Sequence, residues 1–174
     1  MYIADSGQPE LLASVYAECQ AGALTYGIYW YDAFAGGSSG FGPWAPSAGD
    51  KVNITINVNL TPNVFWTDLT SRKSYSITAA VVGNPNNVVC GTAMENGMPP
   101  WNALLPSVPF GKAHFKDCQA TVNGVTAGIG GWGKYFFEYV CLGSTGAYVN
   151  VPLASPGKLS KTENFVVKYL AMGP

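Results

Sequence analysis

Charged residues are scarce in this chain of 174 residues. Asp, Glu, Lys and Arg together make up 11% of the sequence, against about 25% in an average domain. Nine basic and ten acidic residues leave a formal net charge of -1. The chain therefore lacks the basic surface with which proteins bind nucleic acid, and we expect no nucleic-acid partner. The long charged faces of a coiled coil are missing as well.

Long apolar runs are also absent. No stretch approaches the roughly 18 consecutive apolar residues of a transmembrane helix, so we expect no membrane span. The first residues, Met1 to Asp5, have neither the basic nor the apolar region of a signal peptide. The chain is then cytosolic, a piece of a longer protein, or a secreted protein that has lost its leader.

Two N-glycosylation motifs favour the secreted alternative. They are Asn53-Ile54-Thr55 and Asn59-Leu60-Thr61, and such motifs are modified in proteins that pass through the secretory route. Strands rich in Asn also produce these motifs by chance, and Pro62 follows the second one. We expect an extracellular protein.

Motifs for metal binding and for nucleophilic catalysis are missing too. The four cysteines are far apart, without a Cys-x-x-Cys pair, and the one histidine, His114, lies near only one of them. We therefore expect no metal site and no cofactor. A Ser-His-Asp or Cys-His site would have to use His114, which lies in an alternating pattern and is interpreted as an ordinary strand residue.

Strand patterns, in contrast, are abundant. Val52, Ile54, Ile56 and Val58 alternate with polar residues, which indicates a strand with one dry face. Glycine, Asn and Pro mark turns between further segments of this kind. These further strands are predicted over 26–34, 63–68, 75–81, 88–93, 112–122, 135–142, 148–151 and 164–170. Many short strands at close spacing predict one all-β domain over 1–174, a sandwich or a barrel.

One segment departs from the strand pattern. Pro9 would occupy the first position of a helix, and Gly22 would lie just past its end. Apolar residues between them, from Leu11 to Cys19, have helical spacing. The local pattern therefore favours one short helix over 9–21, against the strand that a purely all-β fold requires.

An aromatic strand over 26–34 carries the candidate binding residues. Alternation places Trp30 on one face and Tyr29 and Tyr31 on the other. Rings of this kind line grooves for sugars or peptides, and the alternative is core packing, which is favoured for Trp30.

Two carboxylates stand apart from the obvious turns. Asp32 lies within the aromatic strand, and Glu95 follows a predicted strand. A carboxylate in a cleft can act as a general acid or base when burial raises its pKa. For each of the two, a structural or solvent-exposed role is the simpler interpretation.

Several segments, in the same order, resemble the glutamic peptidase (eqolisin) family. Gly27–Tyr31 falls on its aromatic strand, Gly49–Val52 on its Gly-Asp turn, and Cys90–Glu95 near its Ala-Glu-Trp strand. Other matching segments are Thr67–Ser71, Leu105–Pro106, Phe110–Gly111, Phe115–Cys118, Val122–Gly124, Ile129–Trp132 and Asn164–Val167. Shared order and spacing over most of the chain carry the resemblance. It implies an antiparallel β-sandwich of the concanavalin A-like or jelly-roll type.

The resemblance also implies an acid endopeptidase acting on a polypeptide. In that mechanism a glutamate activates water as general base, and a glutamine amide stabilises the tetrahedral oxyanion. Glu95 is then the candidate catalytic residue, and Tyr29, Trp30 and Tyr31 are the candidate substrate-binding residues.

The same resemblance bears on the cysteines. It implies a disulfide bond between Cys19 and Cys90, while Cys118 and Cys141 either pair or stay reduced. Four buried thiols in an apolar core remain the alternative.

The departures from the family bear on activity. Counted back from the aromatic strand, the catalytic glutamine falls on Ala13, and neither Gln8 nor Gln20 fits the spacing. Tyr29 replaces a family glutamate, and Glu95 matches only if Met94 stands for alanine. Loss of the amide donor lowers the rate by about 10²–10³.

Three functions therefore stay open. The chain is an acid peptidase, a non-catalytic pseudoenzyme that binds peptide or glycan, or a structural subunit. The family's N-terminal strands would lie before Met1, and a sandwich without them has open edges. Such edges suit self-association by strand exchange.

Overall fold

The computed structural model describes residues 2–5, 8–20, 23–33, 35–58, 62–80, 87–89, 109–122, 124–131, 141–142, 148–149 and 154–170. The chain divides into two compact units, Met1–Val89 and Cys90–Pro174, each with its own sheets and core. The single domain expected over 1–174 stays a prediction. Glu95 and the strand predicted over most of 135–142 lie outside the described residues.

Two antiparallel sheets form the first unit. In spatial order, the five-stranded sheet consists of β4 (Ser38–Phe41), β3 (Ala23–Asp32), β2 (Gln8–Gln20), β1 (Tyr2–Asp5) and β8 (Asn87–Val89). The three-stranded sheet consists of β5 (Val52–Asn57), β6 (Asn63–Asp68) and β7 (Ser74–Thr78). The all-β prediction is confirmed for these residues, although β1 and β4 have no clear signal in the sequence.

The helix predicted over 9–21 is wrong, because this segment is the long strand β2. β2 pairs with β3 along its length from Leu11 and with β1 on its other side. Pro9 lies where the register with β1 shifts. An irregularity of this kind tolerates proline, because the strand ladder does not need an N–H donor at that position. Backbone pairing on both sides outweighs local helix propensity, which is worth under about 1 kcal/mol per residue.

The core of the first unit lies between its two sheets. Leu11, Ala13 and Ile28 from the five-stranded sheet are buried together with Val64 and Trp66 from the other. The Trp66 Nε1–H donates a hydrogen bond to the Ser14 carbonyl at 3.2 Å. The two layers are therefore joined by apolar packing and by hydrogen bonds, of which this is one, as in a sandwich.

The hairpin between β6 and β7 turns around Asp68. Its carboxylate accepts hydrogen bonds from the Thr70 amide at 2.7 Å, the Ser71 amide at 3.0 Å and the Ser71 hydroxyl at 2.7 Å. Arg72 then takes a left-handed backbone conformation, with φ 62°. Residues 69–73 thus form the loop between β6 and β7. The Ser71 hydroxyl is the main cause that holds the pKa of Asp68 below its ordinary 3.8, and the Ser71 and Thr70 amides add to it.

This lowered pKa predicts a pH-dependent contribution of Asp68 to stability. Because the folded pKa is depressed, the contribution is present above about pH 3.8 and is lost as pH falls through the folded pKa. We expect Asp68→Asn to lower Tm at pH 7 and the difference from the parent chain to narrow below pH 3.8. Thermal unfolding followed by circular dichroism between pH 7 and pH 2 measures this.

A second variant tests whether the Ser71 hydroxyl causes the lowered pKa of Asp68. Ser71→Ala removes the hydroxyl donor and should shift the pH dependence toward that of an ordinary aspartate, while the Ser71 and Thr70 amides stay in place. A Tm difference for Asp68→Asn that stays constant across the whole pH range would contradict the assignment.

The second unit contains a three-stranded antiparallel sheet and two small hairpins. In spatial order the sheet consists of β14 (Ala154–Pro156), β15 (Phe165–Tyr169) and β9 (Lys112–Phe115). The hairpins are β10 (Gln119–Val122) with β11 (Val125–Gly128), and β12 (Cys141–Leu142) with β13 (Tyr148–Val149). Cys118, Phe165 and Val167 are buried at the centre of the core.

One strand prediction in this unit is wrong. The strand predicted over 112–122 is two strands, because Asp117 adopts a left-handed conformation with φ 53°. Its amide donates to Asn164 Oδ1 at 2.9 Å and the next amide, of Cys118, donates to the Glu163 carbonyl at 3.0 Å. A 3₁₀ turn at Ile129–Gly131 follows β11.

Two observations on the described residues concern membrane-spanning helices and metal sites. No helix there is long and apolar enough to cross a membrane. No group of three or more His, Cys, Asp or Glu side chains in that part of the chain could hold a metal ion. The side chains of Cys19, Cys90 and Cys141 lie outside the description, so the predicted disulfides stay predictions.

Candidate functional site

Strand β3 separates the predicted binding residues. Trp30 lies opposite Ala13 of β2 and Gly40 of β4 in the register, and it packs against the core of the first unit. A Cβ atom added at Gly40 would lie 2.9 Å from the Trp30 ring, so the glycine leaves room for the indole. Trp30 thus lies on the face that carries the sheet packing.

Tyr29 and Tyr31 lie on the opposite face of the same strand. Their register partners are Ser14 and Leu12 on β2, and Phe41 and Ser39 on β4. The Phe41 side chain is 68% exposed. The structure therefore places Tyr29 and Tyr31 together and Trp30 apart from them, as the period of two predicts.

Tyr16 and Phe41 complete a cluster of rings on this face. The Phe41 ring centroid lies 5.7 Å from that of Tyr16 and 5.5 Å from that of Tyr29. Both distances fall within the range of favourable edge-to-face and tilted aromatic pairs. We call this surface, formed by Tyr16, Tyr29, Tyr31 and Phe41, the aromatic face.

Glycines give the rings their positions. A Cβ atom at Gly27 would collide with the Tyr16 ring, which lies across the β3 backbone at that point. A Cβ atom at Gly37, in the turn before β4, would lie 3.6 Å from the Tyr31 hydroxyl. Gly37 has φ 81°, a left-handed conformation that favours glycine. The ring surface thus depends on backbone positions without side chains.

The chemistry available on the aromatic face is stacking and neutral hydrogen bonding. Three phenol hydroxyls and the Ser14 and Ser39 positions are interleaved with ring surface. The register partners named on this face carry no charge. Tyrosine supplies large contact area with few rotatable bonds, so it is common where proteins bind peptides or sugars.

Asp32 and His114 have structural positions. The Asp32 side chain is 2% exposed and accepts hydrogen bonds from the Ala35 amide at 3.1 Å and the Ala80 amide at 2.7 Å. It thereby ties the turn after β3 to the end of β7. His114 is an exposed strand residue of β9, opposite Val166 on β15.

Comparisons with known proteins bear on the fold. No protein-family model and no curated protein sequence matches the chain. The crystal structure of aspergilloglutamic peptidase from Aspergillus niger matches with a TM-score of 0.64, over 92% of this chain and 89% of that one. The chain has the fold of a glutamic peptidase. Sequence identity in that match is 19%, and the similarity confirms the predicted sandwich and the resemblance at the level of fold.

Within this glutamic peptidase-like fold, the catalytic pair is not assembled among the described residues. Ala13, where the resemblance places the glutamine, is fully buried in the core and carries no amide donor. The β2 positions beside the aromatic face are Leu12, Ser14 and Tyr16. Glu95 lies outside the described residues, so its role as general base stays a prediction.

Sequence reasoning misses Tyr16 and Phe41. Tyr16 falls within the helix predicted over 9–21, where its direction relative to Tyr29 is undefined. Phe41 lies in a glycine- and serine-rich segment that is typical of a loop. The available signal is the alternation of Leu12, Ser14 and Tyr16, which matches Tyr29 and Tyr31 once the segment is aligned as a strand.

Proposed function

We propose that the chain binds an extended polypeptide across the aromatic face and does not hydrolyse it by a glutamine–glutamate mechanism. One observation carries this proposal. Tyr16, Tyr29 and Phe41 form a ring cluster on one side of the five-stranded sheet, while the position of the glutamine, Ala13, is buried on the other side.

Polypeptide is favoured as the ligand because the fold is that of a peptidase and because the aromatic face suits an extended chain. The comparison protein is named a peptidase, and its fold is shared over most of both chains. Neutral rings and hydroxyls suit an extended chain, whose side chains stack on the rings and whose amides bond to phenol oxygens. A glycan ligand would use the same stacking, and the binding experiment below distinguishes the two.

Binding is tested with an acid-unfolded globular protein and, separately, a neutral oligosaccharide, by calorimetry. We expect Tyr29→Ser to weaken polypeptide binding by about fivefold or more, because central aromatic contacts are worth upwards of about 1 kcal/mol. Phe65→Thr is the matched control, since Phe65 is an exposed ring on the other sheet. Equal affinity in Tyr29→Ser and the parent, or binding of the oligosaccharide alone, would overturn the polypeptide proposal.

An acid endopeptidase is the second candidate, favoured by the TM-score of 0.64 to a glutamic peptidase. Cleavage of the same unfolded protein is measured from pH 2 to pH 7, beside Glu95→Gln. We expect no cleavage above that of the variant, because the amide donor is missing at Ala13 and its loss lowers the rate about 10²–10³-fold. Acid cleavage that disappears in Glu95→Gln would establish the enzyme instead.

We also propose that the protein acts outside the cell. The two N-glycosylation motifs support this location. Fractionation of the native source, with antibodies against the chain, tests it directly, and recovery of the protein from the cytosol alone would contradict it.

A further inference from the structure

The outer face of the three-stranded sheet is polar with one exception. The register aligns three residues from each strand on this face, in the rows Asn53–Thr67–Ser74, Thr55–Phe65–Ser76 and Asn57–Asn63–Thr78. Phe65 is at the centre of this grid, 42% exposed. The opposite face of the sheet supplies Val64 and Trp66 to the core, so the Phe65 ring is outside that core.

Single exposed rings are common on protein surfaces and carry no meaning alone. This ring, however, lies beside the first N-glycosylation motif. Thr55 of the motif is directly opposite Phe65, and Asn53 is its diagonal neighbour across the β5–β6 pair. Diagonal neighbours in an antiparallel pair lie about 7–8 Å apart, with their Cβ atoms somewhat closer, a gap that one sugar ring on the asparagine would span.

The motif itself is accessible in the folded sheet. Asn53 and Thr55 are both exposed, while Ile54 between them points toward the core. Within the described part of the chain, neither the side-chain amide of Asn53 nor the Thr55 hydroxyl has a hydrogen-bond partner. The fold therefore does not depend on hydrogen bonds from the two side-chain groups that take part in the modification.

We propose that Asn53 is an N-glycosylation site and that its first N-acetylglucosamine packs on the Phe65 ring. The donor is an oligosaccharide carried on a lipid diphosphate. The Asn53 side-chain nitrogen forms a bond to the anomeric carbon of the donor sugar, the bond from that carbon to the diphosphate oxygen breaks, and the amide proton is released. The apolar face of the sugar then covers apolar ring surface that is exposed in the bare chain. This inference rests on the proposed extracellular location.

Modification is tested by secreting the full chain from a eukaryotic host behind an added leader. Enzymatic release of N-glycans in ¹⁸O water converts a modified asparagine to labelled aspartate, which mass spectrometry locates. We expect the label at position 53 and its loss in Asn53→Gln and Thr55→Val. An Asn59→Gln variant removes the second motif, so that the two positions are read separately. A secreted chain labelled at position 59 alone, or unlabelled, would overturn the proposal.

Packing on Phe65 needs a second measurement. The glycan is trimmed to one N-acetylglucosamine in the Asn59→Gln chain, and Tm is compared with that of the same chain made in a bacterial host, which keeps an unmodified Asn53. The comparison is made with Phe65 in place (the parent) and in Phe65→Thr. We expect the sugar to raise Tm by about 2–4 °C in the parent, the scale of one modest contact in a chain of this size, and by less than half of that in the variant. An equal rise in Tm in the parent and in Phe65→Thr would show that the sugar does not pack on the Phe65 ring.

Discussion

Replacement of Trp66 by alanine is expected to lower the free energy of unfolding by about 3–5 kcal/mol, the range for large buried aromatic residues. Trp66 is 0% exposed and lies in the core between the two sheets of the first unit. Its ring is tilted against Tyr75, with centroids 5.7 Å apart. The substitution leaves a cavity there and also removes the hydrogen bond to the Ser14 carbonyl.

Trp66→Phe distinguishes the two contributions. Phenylalanine keeps most of the apolar volume but cannot donate to Ser14, which leaves a carbonyl without its indole partner, at a cost of about 1–3 kcal/mol. Unfolding in urea, followed by circular dichroism because the substitution changes the fluorescence, measures both variants. A Trp66→Ala chain within about 1 kcal/mol of the parent would show that the two sheets do not depend on this residue.

Substitution of Asp32 by alanine is expected to destabilise the chain by about 2–4 kcal/mol, because two backbone amides lose a charged acceptor in a buried site. The amides of Ala35 and Ala80 donate to its two carboxylate oxygens. Since one amide follows a strand of the five-stranded sheet and the other follows a strand of the three-stranded sheet, the loss should loosen the turn after β3 and the end of β7 together. Urea unfolding gives the total effect.

Hydrogen exchange at the Ala35 and Ala80 amides gives the local effect. Asp32→Asn is the matched variant, because its carbonyl oxygen satisfies one amide while its NH₂ group faces the other. We expect a smaller loss of stability than in Asp32→Ala and faster exchange at one of the two amides. Unchanged exchange at both amides in Asp32→Ala would contradict this role.

The sequence predicts strands best where one face is dry and the other polar. Strand β5 is an example, in which the apolar residues Val52, Ile54 and Ile56 alternate with polar ones. A shift of one residue in its register would bury the polar side chains. The turn at 69–73 is equally clear from its residues. The same alternation is sufficient to separate the Trp30 side chain from its two tyrosine neighbours.

Predictions fail where a segment's neighbours decide its conformation. Gln8–Gln20 carries residues that fit a helix face and also a strand, and pairing with β1 and β3 selects the strand. The run over 112–122 is broken at Asp117, whose amide bonds to Asn164, a residue far away in the sequence. Neither contact can be recognised from local composition, because each depends on a distant part of the chain.

Residue identity and side-chain period are local properties, and they suffice for the fold class and for the two faces of each alternating strand. Other features exist only in the folded chain. Tyr16 and Phe41 join Tyr29 on one surface, Asp32 is a buried acceptor, and Phe65 lies beside the first N-glycosylation motif. Each of these depends on strand register and on contacts between distant segments, which backbone pairing and the packing of the two sheets set together.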